Sequence, residues 1–312
     1  MTPPALVAIG EPMLEFNQQP DAGDGRRLYL EGFGGDTSNA AVAAARQGVP
    51  VAYLTALGRD PAGARFLEMW RAEGIDTSGV RLAEARPTAV YFVTHGPGGH
   101  EFLYYRRDSA ASWFGPEDVD AALVRGAQVL HASGISQAIS TRAADAVFHA
   151  IDVARAAGVR VAYDTNFRPR LWPAARAAAV IHAAIAQADI ALPSLDDAVA
   201  LTGLADADAI ADFYLRLGPG VVALKLGTAG VLLATPQARV RIPAHPCRFV
   251  DATGAGDTFC GAFLARLIQG DAPEAAARYG VAAAALKCEG FGAVTPIPRA
   301  AQVMAALGAR AG

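Results

Sequence analysis

Short apolar runs that end in polar or glycine residues recur along the chain, at 6–10, 51–54, 129–131, 159–163, 190–192 and 221–224. Most are apolar at successive positions, not alternate ones, the pattern of a parallel strand covered on both faces. Longer stretches between them, at 37–47, 62–73, 141–157 and 176–187, read as helices. This alternation predicts an α/β fold, three layers deep, with a mostly parallel central sheet between two layers of helices.

Two stretches break the pattern. One runs from about residue 14 to 33. The other spans 88–105, where the aromatic and β-branched runs 89–94 and 101–105 flank His95-Gly96-Pro97-Gly98-Gly99-His100 and read as a hairpin. Together they predict a small β-sheet inserted into the core and able to cover a site as a lid. The expected organisation is a core of 1–12, 36–86 and 113–312, with lid segments 13–35 and 87–112.

At 312 residues, 53% of them hydrophobic and 18% charged, the chain is long enough for one large domain with an appendage. The net charge of -3 comes from interspersed acids and bases, so no basic field exists to gather nucleic acid. Cys247, Cys260 and Cys288 are widely spaced and form no Cys-x-x-Cys pair, which argues against a disulfide framework or zinc site and for a reducing cytoplasm. No basic, apolar secretion signal opens the chain, and no run reaches the ~18 apolar residues of a membrane span. The six histidines show neither metal-ligand spacing nor a triad arrangement.

The most informative run is Val250-Asp251-Ala252-Thr253-Gly254-Ala255-Gly256-Asp257-Thr258, which leads into the apolar helical stretch 260–268. Gly254, Ala255 and Gly256 let backbone N–H groups converge at a helix N-terminus, where partial positive charge can hold a phosphate or a developing oxyanion. Asp257 in the first turn is placed to take a proton from an attacking hydroxyl. The plain alternative is a tight turn with Asp257 as a helix cap. A second glycine run, Gly32-Phe33-Gly34-Gly35-Asp36-Thr37-Ser38-Asn39, joins a lid strand to a helix. A helix entry capped by Asp36 or Thr37 explains it in part. It does not explain Asn39, a polar residue in an alanine-lined helix.

Asp251-x-x-Gly254-Ala255-Gly256-Asp257 and Gly34-Gly35 with Asn39 resemble the two signatures of the ribokinase-like (PfkB-type) carbohydrate kinases. There is no Walker A loop. The resemblance extends along nearly the whole chain and is strongest to the branch acting on 2-keto-3-deoxygluconate, carried by the runs 102–111, 133–136 and 164–172. It implies an ATP-dependent kinase of a small acidic sugar, with Gly34, Gly35 and Asn39 on the sugar hydroxyls and Asp257 as base. A sugar acid calls for a guanidinium, which binds a carboxylate through two hydrogen bonds, and Arg106 and Arg168 are the candidates. Tyr91 and Tyr104 would add hydroxyl and ring contacts. The plain alternative is that these Tyr and Arg residues are ordinary members of a solvated or oligomer-forming sheet. Neighbouring strand residues face opposite sides, so only one of Arg106 and Arg107 should enter the site, and Arg106 shares a face with Tyr104.

The run 222–230 resembles the family segment around ATP: Lys225, Gly227 and Gly230 match, while Leu226 stands where arginine is usual. Asn166, Ser194 and Gly292 are the further nucleotide contacts that the resemblance implies. Ser194-Leu195-Asp196-Asp197 falls where relatives carry an Asn-x-x-Glu run that organises magnesium through water. Asp197, with Asp196 beside it, fits that role or a helix cap, and Asp251 would hold the turn or a nearby cation. ATP and Mg2+ are thus the expected cofactors, with a monovalent cation left open, and the lid's outer face suggests a homodimer or higher homo-oligomer. The alternatives are a related kinase of fructose, ribose or 5-dehydro-2-deoxygluconate, or a non-catalytic nucleotide- or sugar-binding regulator. A dinucleotide-binding fold is a poor match, because the first strand ends Gly10-Glu11-Pro12 without a Gly-x-Gly-x-x-Gly.

Overall fold

A computed structural model of the protein describes residues 3–19, 26–96 and 99–308. Pro97 and Gly98, at the centre of the expected hairpin turn, lie outside the described residues, as do 1–2, 309–312 and the lid stretch 20–25.

In chain order the strands are β1 (Leu6–Ile9), β2 (Met13–Gln18), β3 (Tyr29–Gly34), β4 (Val51–Gly58), β5 (Val80–Ala83), β6 (Ala89–Gly96), β7 (Gly99–Tyr105), β8 (Val129–Ser133), β9 (Arg160–Asp164), β10 (Ile190–Ala191), β11 (Val221–Lys225), β12 (Val231–Ala234) and β13 (Arg239–Ile242). Nine of them form the central sheet in the order β13-β12-β11-β10-β9-β8-β1-β4-β5. It is parallel from β11 to β5; only the β11–β12 and β12–β13 pairs are antiparallel. The continuous apolar runs are explained by burial on both faces. Val7 and Ile9 join one core layer and Leu6 and Ala8 the other, as the two-residue repeat of a strand requires. The first layer packs the helices Thr141–Ala156 and Ala174–Ile185, and the second packs Asp36–Arg46, Pro61–Ala72, Ala255–Ile268 and Pro273–Lys287. None of the described helices is long and apolar enough to cross a membrane.

The remaining strands form a separate sheet in the order β3-β2-β6-β7. It is not purely antiparallel as its hairpin suggests: β2 and β6 run parallel, because the chain returns to the core between β3 and β6. Tyr91 pairs with Tyr104 and so shares its face, while Val90, paired with Tyr105, lies on the other. Two features fix how this sheet meets the core. Gly35, at φ 105°, has its α-carbon so close to Glu11 that a β-carbon would lie 2.4 Å from the Glu11 carbonyl oxygen. Only glycine fits there. In addition, the Ala110 amide donates to Pro87 O at 2.8 Å, tying together the crossings on either side of the β6–β7 hairpin.

Candidate active site

Between the carboxyl ends of the parallel strands and the inner face of the smaller sheet lies a cleft of about 1000 Å³. Ligands of open α/β sheets collect at this edge. The helix Ala255–Ile268 begins on its wall, with Asp257 in its first turn as the sequence reading expects. Gly254 precedes it at φ 77°, a left-handed conformation that costs glycine nothing. Among the described residues, the amides of Gly254, Gly256 and Asp257 have no acceptor within the chain. The Ala255 amide instead donates to Ala252 O at 3.0 Å, which corrects the sequence reading: the amides left free to meet an anion flank Ala255 and do not include it.

Asp257 is half-buried, and its Oδ2 accepts from Asn39 Nδ2 at 2.8 Å. Burial, reinforced by the nearby carboxylate of Asp36, pushes its pKa up to about 7, against the opposing pull of the Asn39 hydrogen bond. Its carboxyl is therefore poised between the two protonation states near neutral pH. Asp36 is itself buried. Its Oδ2 accepts from Asn166 Nδ2 at 2.7 Å, while its Oδ1 has no partner. At the end of β9, Asp164 pairs with Lys225 Nζ at 2.6 Å. Burial opposes charge on Lys225, yet Asp164 more than offsets it and holds the ammonium above the usual lysine range. Asp197 lies nearby with its Oδ2 accepting from Thr165 Oγ1 at 3.1 Å; burial, and next the Asp164 carboxylate, push its pKa up. A divalent cation would relieve this crowding of acids. No cluster of three or more metal-ligating side chains exists among the described residues, so water and phosphate oxygens would complete magnesium's shell.

The smaller sheet contributes Tyr91, stacked on Tyr104 with ring centroids 5.7 Å apart. The Tyr91 hydroxyl donates to Glu15, so toward the cleft it presents its ring and a hydroxyl oxygen able to accept. Tyr104 is exposed on the cleft wall, with the Arg106 guanidinium 5.9 Å from its ring centroid. Arg106 lines the cleft and Arg107 does not, as the strand register requires. Arg106 is not an isolated cation, however. It forms an ion pair with the fully buried Glu11, whose other oxygen accepts from Ser109 Oγ at 2.7 Å. The exposed Arg168 also lines the cleft and, among the described residues, donates only to the neighbouring Phe167 O, at 2.9 Å.

The cleft wall brings together Gly34, Gly35, Asn39, Tyr91, Tyr104, Arg106, Asn166, Arg168, Ser194, Asp197, Lys225, Gly227, Gly254, Gly256 and Asp257. It excludes Ala255, Gly230, Gly292 and Asp251, each for a local reason. At Gly230, φ is 94° and a β-carbon would lie 2.0 Å from Ile242 O, so this glycine serves backbone packing. The Asp251 carboxylate, expected from sequence to hold the turn or a nearby cation, accepts from the amide and hydroxyl of Thr253 at 2.9 and 2.7 Å and from the Gly292 amide at 2.9 Å. It is the anchor of the turn. Asn166 has its amide committed to Asp36, and Ser194 Oγ caps the helix Leu195–Thr202 by accepting from Asp197 N at 3.3 Å. Both act on neighbouring side chains and helix ends as well as on the wall. Glu11, Glu15, Asp36 and Asp164 were not recognisable as partners from the sequence. The one signal was a charge directly after a buried strand, as at Gly10-Glu11.

Residues 6–300 match the pattern that describes the pfkB family of carbohydrate kinases. A 2-dehydro-3-deoxygluconokinase from Thermoproteus tenax is 33% identical over 306 residues, covering 96% of this chain and 93% of that one. Another, from Dickeya dadantii (strain 3937), is 32% identical over 311 residues, covering 95% and 98%. A fructokinase from Xylella fastidiosa, solved with bound ATP, has a TM-score of 0.91 to this structure at 27% identity, covering 99% of both chains.

Proposed function

The chain is a carbohydrate kinase of the pfkB family, and from that premise we propose that it transfers the γ-phosphate of ATP to the terminal hydroxyl of 2-keto-3-deoxygluconate, also called 2-dehydro-3-deoxygluconate. The observation that carries this reading is the Asp257 carboxyl, held by Asn39 beside three unengaged amides, in a cleft that also holds the unpaired guanidinium of Arg168. An anion hole next to a base suits phosphoryl transfer to an alcohol, and the guanidinium suits an acceptor that carries a carboxylate.

In this reading Arg168 holds the sugar carboxylate and Arg106, braced from behind by Glu11, supports it. Gly34, Gly35 and Asn39 border the sugar hydroxyls, and Tyr91 and Tyr104 cover the ring. Asp257 takes the proton of the attacking hydroxyl, and the amides of Gly254, Gly256 and Asp257 neutralise charge on the transferred group. Lys225 and Gly227 border the phosphates. Asp197 would hold magnesium through water, and the ion would screen phosphate charge during transfer. Closure of the four-stranded sheet excludes water and limits wasteful hydrolysis of ATP. We further place the protein in the cytoplasm, a reading supported by its three free thiols, and read it as a homodimer formed through the lid.

A coupled ADP-release assay with Mg-ATP tests the substrate class, comparing 2-keto-3-deoxygluconate with its carboxylate-free analogue, fructose and ribose. The acid sugar should be preferred, and Arg168→Ala should lose roughly 10- to 100-fold of that preference, the range for a charge-assisted hydrogen bond. Equal activity on neutral sugars would overturn the acid-sugar assignment and leave the kinase in place.

A further inference from the structure

The chain carries 27 lysines and arginines, and only Lys225 and Lys287 are lysines. Every other cationic position is arginine, on the surface and in the lid alike. Lys225 lines the cleft, and Lys287 lies behind the turn that leads to the free amides, with its Nζ on the Asp251 carbonyl oxygen. Lys225 already has a place beside Asp164. Lys287 has none in the mechanism, yet its side chain is fully buried at the end of the helix Pro273–Lys287. Lysine ordinarily keeps its ammonium in water, and a buried charge is retained only against a considerable desolvation penalty.

Its surroundings show what the charge does. Nζ donates to the Asp251 carbonyl oxygen at 2.8 Å and lies 3.9 Å from Asp251 Oδ2. Asp251 opens the turn that leads to the free amides, and its carboxylate grips Thr253 and Gly292. The amides of Val250 and Asp251 both donate to Cys288 O, at 2.8 and 3.1 Å, so residues 250–254 are fastened to the segment that carries Lys287. A carbonyl and a carboxylate oxygen of one residue, both within reach of one buried positive charge, form the kind of oxygen nest that a small metal cation would otherwise fill. Asp251 opposes the burial that draws the Lys287 pKa down, and Cys288, Asp257 and Glu15 are the other titratable groups that act on it.

We propose that the Lys287 ammonium is a built-in monovalent cation: it fixes the Asp251–Gly254 turn and the amides beyond it, so phosphoryl transfer by this protein needs no added potassium or sodium. Lys287 is thus a positioning residue that acts on the reaction through Asp251. The proposal rests on the phosphoryl-transfer reading of the site and not on which sugar is phosphorylated.

The first arm of the test uses the unaltered protein with Mg-ATP in tetramethylammonium buffer, then with potassium or sodium at equal ionic strength. Turnover should change by less than about 2-fold, the scale of surface-charge screening. The second arm uses Lys287→Met and Lys287→Ala. With the turn loosened, kcat should fall by about 10²-fold, the scale of a 1 Å misplacement, while KM for the sugar changes little. Potassium, ammonium or methylammonium should restore much of the loss in Lys287→Ala. A third readout needs no substrate: amide hydrogen exchange at residues 252–257 should accelerate in Lys287→Ala and slow again when ammonium is added. If no acid sugar is phosphorylated, the substrate reading fails while the exchange readout still judges Lys287. Potassium activation of the unaltered protein, a full rate in Lys287→Met, or exchange at 252–257 unmoved by the substitution would each overturn the proposal.

Discussion

The proton on Asp257 links catalysis to stability at the scale of one residue. Its pKa of about 7 is raised by burial and then by Asp36, and lowered by the hydrogen bond from Asn39. On the proposed role Asp257 must be ionised in the free enzyme, so kcat/KM should rise with pH along a limb centred near 7. Asp36→Asn removes a negative neighbour and should move that limb to lower pH. Asn39→Ala removes a bond to the ionised form and should move it to higher pH. An immobile limb in both variants would dissociate it from Asp257. The stability consequence follows in sign. A carboxyl whose folded pKa lies above its unfolded one binds its proton more tightly when folded, so folding is favoured at low pH and loses that contribution as pH rises from about 4 to about 7. Asp257→Asn should therefore raise Tm relative to wild type at pH 8 and not below pH 4, while lowering kcat by at least about 10²-fold. Tm changes equal at both pH values would mean that Asp257 does not titrate as described.

Asn39 and Asp257 are 218 positions apart and meet only because two helices cross closely. In Asp36–Arg46 and Ala255–Ile268 the contact runs through small residues: a β-carbon on Gly261 would lie 2.1 Å from Ala40 O and 2.7 Å from Ala43 Cβ. Gly261 is thus the spacer that sets the Asn39–Asp257 bond at 2.8 Å. Gly261→Ala should force the helices apart, lowering stability by about 1–3 kcal/mol and kcat by roughly 10-fold or more through misplacement of the base. Unchanged thermal unfolding and turnover would show that the crossing absorbs the methyl group elsewhere. This contact also marks how far the sequence could be read. The buried strands were legible because burial on both faces makes them apolar at almost every position, and the glycine turn because few other residues adopt its conformation. β5, Val80-Arg81-Leu82-Ala83, was not, because an edge strand that carries arginine has no continuous apolar signal. Neither was the pairing of Glu11 with Arg106, 95 positions apart, since no local pattern joins a core strand to the far end of a lid strand. Tyr91 and Asn166 were named from the sequence and line the cleft, but the partners that take up their hydrogen-bonding groups, Glu15 and Asp36, depend on topology alone.

At the scale of the whole molecule, the four-stranded sheet has two faces and only one of them meets the cleft. The other face carries Phe16 stacked on Phe92 at 5.1 Å, with Tyr29 and Tyr105 set edge-on to Phe92. On that face Leu103 and Tyr105 are each more than half exposed, and among the described residues no further strand pairs with the outer edges of β3 and β7. Apolar surface joined to unpaired strand edges is an association site unless something covers it. A second copy of the same sheet is the simplest cover, because a two-fold contact needs only one self-complementary face. The lid of one subunit would then rest on the lid of its partner, and lid position, which on the proposed reading governs sugar capture, would depend on assembly. The protein should accordingly run at twice the chain mass in light scattering at micromolar concentration. Leu103→Glu should divide it and raise KM for the sugar several-fold, while KM for ATP, bound against the core, stays close to wild type. A wild-type monomer under those conditions would leave the aromatic face without a partner and would require the lid to close over the sugar unaided.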